Sequence, residues 1–192
     1  MIALGHNAPM KRLIWPAICL ACIAAAVLVS REFWYHPTLH HAPSREVVIE
    51  QHLAQLPDAA VIVGDSLTER SPIRELCGLP VVNAGIGRAT SASIMPVARM
   101  VKGRPLVVLA IGVNDGDSFE ADYRALVAEL RPDIVVGVTA RRERNALIRE
   151  SAPVFVEPLP PELLYDGVHY TPEGGHEWRR RLEGACLHHA TP

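Results

Sequence analysis

The stretch "VIVGDSLTER", residues 61–70, places a glycine, an aspartate and a serine directly behind an apolar run. The apolar residues 59–63 predict a short buried β-strand, and the small polar residues after them are typical of a turn. The following "SLTER" predicts the start of a helix, whose positive end would lie beside Ser66. The stretch therefore predicts a strand–turn–helix unit that presents a serine hydroxyl at the carboxyl end of a buried strand.

The same alternation of apolar runs and helical segments continues along the chain. Strands are predicted at 59–63, 80–83, 105–111, 133–139 and 153–157. Helices are predicted at 45–56, 66–77, 91–102, 119–130 and 142–151, and from Pro172 onward with Thr171 as the cap. A break of the second helix at Pro72 is the alternative. The strands are continuous apolar runs, so both faces of the sheet must be covered. The fold class predicted is α/β, a three-layer α/β/α sandwich around a parallel five-stranded sheet.

The N-terminal region differs from the rest of the chain. Lys11 and Arg12 precede residues 13–30, which carry no charge. As a helix these residues would extend roughly 27 Å, about the thickness of a bilayer core. We therefore predict a cytoplasmic segment at 1–12 and a transmembrane signal-anchor at 13–30, with the rest of the chain facing the periplasm or cell exterior. A cleaved signal peptide, a lipoprotein site at Cys22 and a buried core helix are the alternatives.

The remaining organisation predicts one catalytic domain. Residues 31–57 are expected to form a linker and a short helix, 58–187 the domain, and 188–192 a tail. The formal net charge of −2 and the lack of a long basic block argue against nucleic acid as a partner. The histidine pairs at 40–41 and 188–189 lack cysteine or glutamate partners at ligand spacing, so neither a metal nor a cofactor is predicted.

Residues suited to acyl transfer follow several of the predicted strands. Ligands of open parallel sheets bind beyond the carboxyl ends of the strands. Ser66 follows the first strand, Gly85 the second, Asn114 the third, and Asp166 and His169 come after the fifth. Such a set supplies a nucleophile, its base and a residue that orients the base. The oxyanion would be stabilised by the backbone N–H of Ser66, the N–H of Gly85 and the side chain of Asn114.

Four short blocks carry a resemblance to a known family. They are "GDSL" at 64–67, the glycine block at 83–87, "GVND" at 112–115 and "DGVH" at 166–169. Over residues 58–187 the chain resembles the SGNH/GDSL hydrolases. The resemblance implies a flavodoxin-like sheet of strand order 2-1-3-4-5. It also implies that the serine, glycine, asparagine and histidine of these blocks carry the chemistry, with Asp166 as the third member of the triad.

These observations favour a membrane-anchored serine esterase that acts through an acyl-Ser66 intermediate. The favoured substrate is an O-acyl ester, in particular an O-acetyl ester, of a carbohydrate or cell-envelope polymer. The expected partners are therefore an acylated glycan and, through the N-terminal helix, the lipid bilayer. Alternatives are a lipid esterase or thioesterase, which a long apolar groove would favour, and an O-acyltransferase with the same triad. A different class also stays open, an inactive binding or scaffold module of the cell envelope.

Three further residue types need an interpretation. Asp65 is expected to be structural and to bind nearby loop amides. The arginines at 141, 142 and 144 are expected to form a solvated helix surface. Arg88 lies beside Gly87, close to the expected site, and is a candidate for substrate binding.

The cysteines outside the N-terminal apolar segment are Cys77 and Cys186. In the implied strand order, the predicted helices that end at these residues lie side by side and end at the same edge of the sheet. The domain is expected in an oxidising compartment, so a disulfide between the two is predicted. The alternative is a pair of free, half-buried thiols.

Overall fold

The structure is a computed structural model that describes residues 9–35 and 38–189. It divides into two compact units between Leu39 and His40. The first unit contains helix α1 (Pro9–Tyr35). Within the described ranges, no helix is both long enough and apolar enough to cross a lipid bilayer, so the transmembrane helix predicted at 13–30 is not supported.

The second unit is built from alternating strands and helices. Helix α2 (Thr38–Gln55) leads into it, which extends the helix predicted at 45–56 back into the expected linker. The remaining elements are, in chain order, β1 (Ala60–Gly64), α3 (Ser66–Glu69), β2 (Glu75–Leu76), β3 (Leu79–Gly85), α4 (Met95–Met100), β4 (Val107–Ala110), α5 (Phe119–Leu130), β5 (Ile134–Val136), α6 (Asn145–Arg149), β6 (Val154–Val156) and α7 (Pro172–His189). Short 3₁₀ turns lie at Arg142–Arg144 and Pro161–Leu163.

The strands form one six-stranded sheet of order β2-β3-β1-β4-β5-β6, and with the helices they make a mixed α/β fold. All neighbouring strands pair in parallel except β2 and β3, which are antiparallel. At the end of β1, Gly64 lies opposite Gly85 of β3 and Ala110 of β4. Because these three strand ends are level, the loops that follow them meet at one edge of the sheet.

Both faces of the sheet are covered, as the continuous apolar strands predict. Val61 and Val63 belong to a buried cluster with residues of α2, α4 and α5. Ala60 and Ile62 point the other way, into a second cluster that includes Trp178 of α7. A strand alternates its side chains between faces, so burial of both sets requires helices on both sides of the sheet.

The structure contradicts the helix predicted at 66–77, and with it the predicted strand count. Helix α3 ends at Glu69, and Pro72, which has no backbone N–H to continue a helix, follows in extended chain. Cys77 (φ 54°) and Gly78 (φ 75°) then form a two-residue turn that pairs β2 with β3. Positive φ at both central residues fits the twist of a tight hairpin. The sheet therefore has six strands instead of five, and its order differs at the edge where β2 is added.

Other boundaries shift without changing the architecture. Helix α5 spans the residues predicted for it, whereas α4 covers only 95–100 of the segment 91–102. The segment predicted as a helix at 142–151 is divided into a 3₁₀ turn and α6.

A disulfide joins Cys77 to Cys186, with the two Cα atoms 5.3 Å apart. Its position differs from the expected one, because Cys77 lies in the β2–β3 turn and not at the end of a helix. Leu76 of β2 and Leu182 of α7 are buried in the same apolar cluster, which brings the turn and the helix together. The bond therefore fastens the edge hairpin of the sheet to the last helix.

Removing this disulfide should destabilise the domain. The bond closes a loop between residues 109 apart in sequence. A chain-entropy argument then assigns it about 4 to 5 kcal/mol at most. The double variant Cys77→Ser, Cys186→Ser should lose a large part of this free energy in denaturant unfolding, and wild-type protein treated with reductant should behave alike. Cys19→Ser, which changes a free cysteine of α1, is the control and should unfold as wild type does. Equal unfolding of all forms would contradict a stabilising bond.

Candidate active site

Three side chains form a hydrogen-bonded series at the carboxyl edge of the sheet. The Oγ atom of Ser66 lies 2.9 Å from Nε2 of His169. On the other side of the imidazole, Nδ1 lies 2.7 Å from Oδ2 of Asp166. With Nδ1 donating to the carboxylate, Nε2 is free to accept the hydroxyl proton of Ser66. The arrangement is that of a nucleophile, a general base and a carboxylate that orients the base.

Ser66 is held by the local structure around α3. It is the first residue of this helix, so its own N–H precedes the first hydrogen-bonded turn. The carboxylate of Asp65 accepts a hydrogen bond from the N–H of Leu67 at 2.9 Å and caps the helix. A Cβ on Gly64 would lie 2.1 Å from Oγ1 of Thr68, so only glycine allows α3 to pack this closely against the end of β1.

His169 and Asp166 are positioned by a tight turn before α7. Oδ1 of Asp166 accepts hydrogen bonds from the N–H groups of Val168 (2.9 Å) and His169 (2.7 Å). Gly167 adopts φ 81° within this turn. One carboxylate thus both shapes the turn and orients the imidazole. The hydrogen bonds from His169 hold the pKa of Asp166 well below its usual range, so the carboxylate stays ionised.

Gly85 is placed differently from its predicted role in the oxyanion hole. Its N–H donates to Oδ1 of Asn83 at 3.0 Å, and that bond occupies the donor that was assigned to the oxyanion. Its importance is steric, because a Cβ at Gly85 would lie 2.2 Å from the backbone nitrogen of Glu69. The roles of the Ser66 N–H and the Asn114 side chain as oxyanion donors stay predictions. Nδ2 of Asn114 donates one hydrogen to the carbonyl of Ala89 (3.1 Å), which leaves its second hydrogen for a substrate.

Asn83 has a structural role that the sequence analysis missed. Its Nδ2 donates to the carbonyls of Thr68 (2.7 Å) and Ser71 (3.1 Å). Together with the bond from Gly85, these contacts join the end of β3 to the end of α3. The signal in the sequence was a lone amide within an apolar strand, a position at which a side chain needs hydrogen-bond partners.

Arg144 makes structural contacts, whereas its arginine-rich segment predicted a solvated residue. Its guanidinium donates to the carbonyls of Gly112 and Asp115, the latter at 2.8 Å. It also packs over the ring of Phe119, 4.5 Å from the centroid. These contacts hold the two ends of the short loop that carries Asn114.

Two buried carboxylates lie behind the site. Asp65 is 1% exposed and Asp115 is 5% exposed. Oδ1 of Asp115 accepts from the N–H of Ser91 at 2.8 Å. Burial raises the pKa of Asp65 to about 6, and the charge of Asp115 adds to the effect, whereas the hydrogen bond from Leu67 and the charge of His169 oppose it. Asp65 is thus structural, as predicted from its place in the turn.

A cavity of about 530 Å³ opens beside the triad. Its lining residues are Ser66, Leu67, Arg70, Ser71, Pro72, Ile73, Tyr165, His169, Tyr170, Thr171, Pro172, Gly175, His176, Trp178 and Arg179. Arg88, the predicted binding residue, is exposed and does not line the cavity. Arg70 takes a place there instead and donates to the hydroxyl of Tyr165 at 3.0 Å. The ring of Tyr165 stacks on the imidazole of His169, with centroids 5.8 Å apart.

Comparisons with known proteins identify the fold. No family model matches the chain, and no curated protein is similar to it in sequence. A solved structure described as a "putative platelet activating factor from Streptococcus pneumonia" is similar, with a TM-score of 0.54 and 18% identity over 85% of this chain and 99% of that one. AlinE4, an SGNH-hydrolase family esterase, covers 70% of this chain and 97% of its own, with a TM-score of 0.41 and 17% identity. The first likeness shows that the fold occurs elsewhere.

The raised pKa of Asp65 should make stability depend on pH. Between its ordinary value of 3.8 and about 6, the folded state keeps the proton while the unfolded state has lost it. The free energy of unfolding should therefore fall as pH rises through this window, by about 3 kcal/mol at most. Denaturant unfolding at pH 4, 5 and 6 should show a smaller fall for Asp65→Asn, which keeps an acceptor for the helix cap. Asp58→Asn, at an exposed position, is the control. An unchanged slope in Asp65→Asn would rule out this origin.

Proposed function

We propose that this protein is a serine hydrolase that cleaves ester bonds through an acyl-Ser66 intermediate. The proposal depends on one observation, the hydrogen-bonded series from Ser66 through His169 to Asp166. The hydroxyl contacts the imidazole and the imidazole contacts the carboxylate, which is the order that acyl transfer requires. No side chain has to move to make these contacts.

The chemistry follows from the positions of these atoms. Oγ of Ser66 attacks the carbonyl carbon of the ester while Nε2 of His169 takes the hydroxyl proton. The N–H of Ser66 and the side chain of Asn114 are the donors proposed for the oxygen that becomes negative. His169 then gives its proton to the departing alcohol, and a water molecule repeats the sequence on the acyl-enzyme. Asp166 stabilises the imidazolium in both halves of the reaction.

The class of ester is proposed from less direct features. An O-acetyl or other O-acyl ester of a carbohydrate or cell-envelope polymer is the first candidate, because the imidazole is partly exposed and a large substrate can approach. The Cys77–Cys186 bond supports a proposal that the domain works in an oxidising compartment such as the periplasm or cell exterior.

A second candidate is a lipid esterase or thioesterase, in which the acyl chain of the ester would occupy the cavity. Leu67, Ile73 and Trp178 are among its lining residues and give it apolar walls. A panel of acetyl, hexanoyl and decanoyl esters of one alcohol separates the two candidates. An acetylesterase should lose kcat/KM as the chain lengthens, whereas a lipid esterase should gain it.

Replacement of the nucleophile should abolish the reaction. Ser66→Ala should lower turnover of any ester substrate by at least about 10³-fold and should prevent labelling by a fluorophosphonate probe, because the probe reacts with the activated hydroxyl. Ser118→Ala, at an exposed serine before α5, is the control and should label and react like wild type. Wild-type turnover in Ser66→Ala, or a folded wild-type protein that no probe labels, would reject the proposal.

Replacement of the proposed oxyanion donor should slow the chemical step. Asn114→Ala should lower kcat by on the order of 10²-fold and leave KM nearly unchanged, because the donor binds the charged oxygen more strongly than the ground-state carbonyl. Asp117→Ala changes another exposed residue just beyond the same loop and is the control. A rise in KM with kcat unchanged would show that Asn114 binds substrate without acting on the oxyanion.

A further inference from the structure

We infer that the cavity beside Ser66 binds the alcohol half of the ester, and that Arg70 makes it selective for alcohols with an apolar ring and a negative charge. The inference rests on the proposed hydrolase function and adds a substrate class to it.

The position follows from which catalytic residues reach the cavity. Ser66 and His169 line it, whereas the proposed oxyanion donor Asn114 does not. In the second half of acyl-enzyme formation, the bond between the carbonyl carbon and the alcohol oxygen breaks. The proton on Nε2 of His169 moves to that oxygen. The alcohol must therefore lie on the side of the imidazole, and that side is where the cavity opens.

The walls of the cavity suit a flat apolar group. One wall comes from α3 and the segment after it, with Leu67 and Ile73, and another comes from α7, with Trp178. Tyr165 closes the side next to the imidazole, on which its ring is stacked. An alcohol that carries a ring can bury that ring between these side chains and gain the free energy of apolar burial.

The charge of the cavity is positive. Its lining includes two arginines and two histidines and no aspartate or glutamate. Arg179 is paired with Glu183 at 2.7 Å, so its charge is largely balanced. Arg70 has no acidic partner among the described residues, and its guanidinium donates to the neutral hydroxyl of Tyr165. That contact orients the guanidinium toward the ring over His169, where a carboxylate or phosphate on the alcohol could pair with it.

Esters with one acyl group and matched alcohols test the charge. Phenyl acetate, 3-carbamoylphenyl acetate and 3-carboxyphenyl acetate share the acetyl group and a phenol ring, and only the last is anionic. Wild-type protein should show a higher kcat/KM for the anionic ester than for the carbamoyl ester. Arg70→Gln should remove about a fivefold preference, as expected for a partly exposed ion pair, measured as the ratio of kcat/KM for the anionic and carbamoyl esters within each protein. Arg74→Gln, an exposed arginine outside the cavity, is the matched control.

Two glycines of α7 allow a test of which half of the ester occupies the cavity. A Cβ added to Gly175 or to Gly184 meets no heavy atom within 4 Å, so a side chain can begin at either position without a collision. Only Gly175 lines the cavity. Gly175→Leu should lower kcat/KM for 2-naphthyl acetate relative to ethyl acetate. It should leave the ratio between ethyl hexanoate and ethyl acetate unchanged, and Gly184→Leu should change neither ratio.

The outcomes separate this inference from the proposed function. If wild-type protein hydrolyses none of the esters and Ser66 is not labelled, the hydrolase proposal fails and the inference with it. If esters are hydrolysed but Gly175→Leu alters the hexanoate ratio instead of the naphthyl ratio, the cavity binds the acyl group. Equal rates on the anionic and carbamoyl esters in wild type and Arg70→Gln would overturn the charge selectivity alone.

Discussion

The close approach of α3 to the edge of the sheet is the constraint on which the site depends. Glycine at positions 64 and 85 leaves room for the helix, because a Cβ at Gly64 would collide with the side chain of Thr68 and a Cβ at Gly85 would collide with the backbone of Glu69. Asn83 then fixes the distance with hydrogen bonds to carbonyls at the end of α3. Ser66 can stand beside His169 only because this first turn sits directly on the strand ends. The hydrogen bonds of Asn83 thus hold α3 against β3 in place of the apolar packing that a larger side chain would supply.

The second half of the site is set almost entirely by local structure. Asp166 and His169 are three residues apart and belong to one turn, in which the same carboxylate accepts from two backbone N–H groups and from the imidazole. Their mutual geometry therefore survives small movements of the surrounding chain. Tertiary structure must supply one contact, the 2.9 Å distance between Nε2 of His169 in this turn and Oγ of Ser66.

The predictable parts of the fold and site are those that local residues decide. The alternation of continuous apolar strands with helices, and the placement of polar residues after the strands, follow from residue type and spacing. The helix prediction at 66–77 was wrong because the spacing of the apolar residues gives no sign of the hairpin at Cys77 and Gly78. Pairing of β2 with β3 at the edge of the sheet stabilises that hairpin. Gly85 could not be assigned from sequence, since the partner of its N–H is a side chain whose direction only the packed strand fixes. The place of Arg70 in the cavity could not be predicted either, because it depends on the segment after α3 and α7 lining the same cavity.

The disulfide gives the chain a second connection between the halves of its site. The catalytic contact joins Ser66 to His169, which are 103 residues apart. The disulfide joins Cys77 to Cys186, which are 109 residues apart. The two connections therefore span nearly the same part of the chain. The domain is in effect a covalent ring with two tails. One cut in the backbone between residues 78 and 165 opens the ring but leaves the nucleophile and its base in the same molecule. Surface loops within that span, such as the one after Gly103, are thus sites where the backbone could be cut while both halves stay joined.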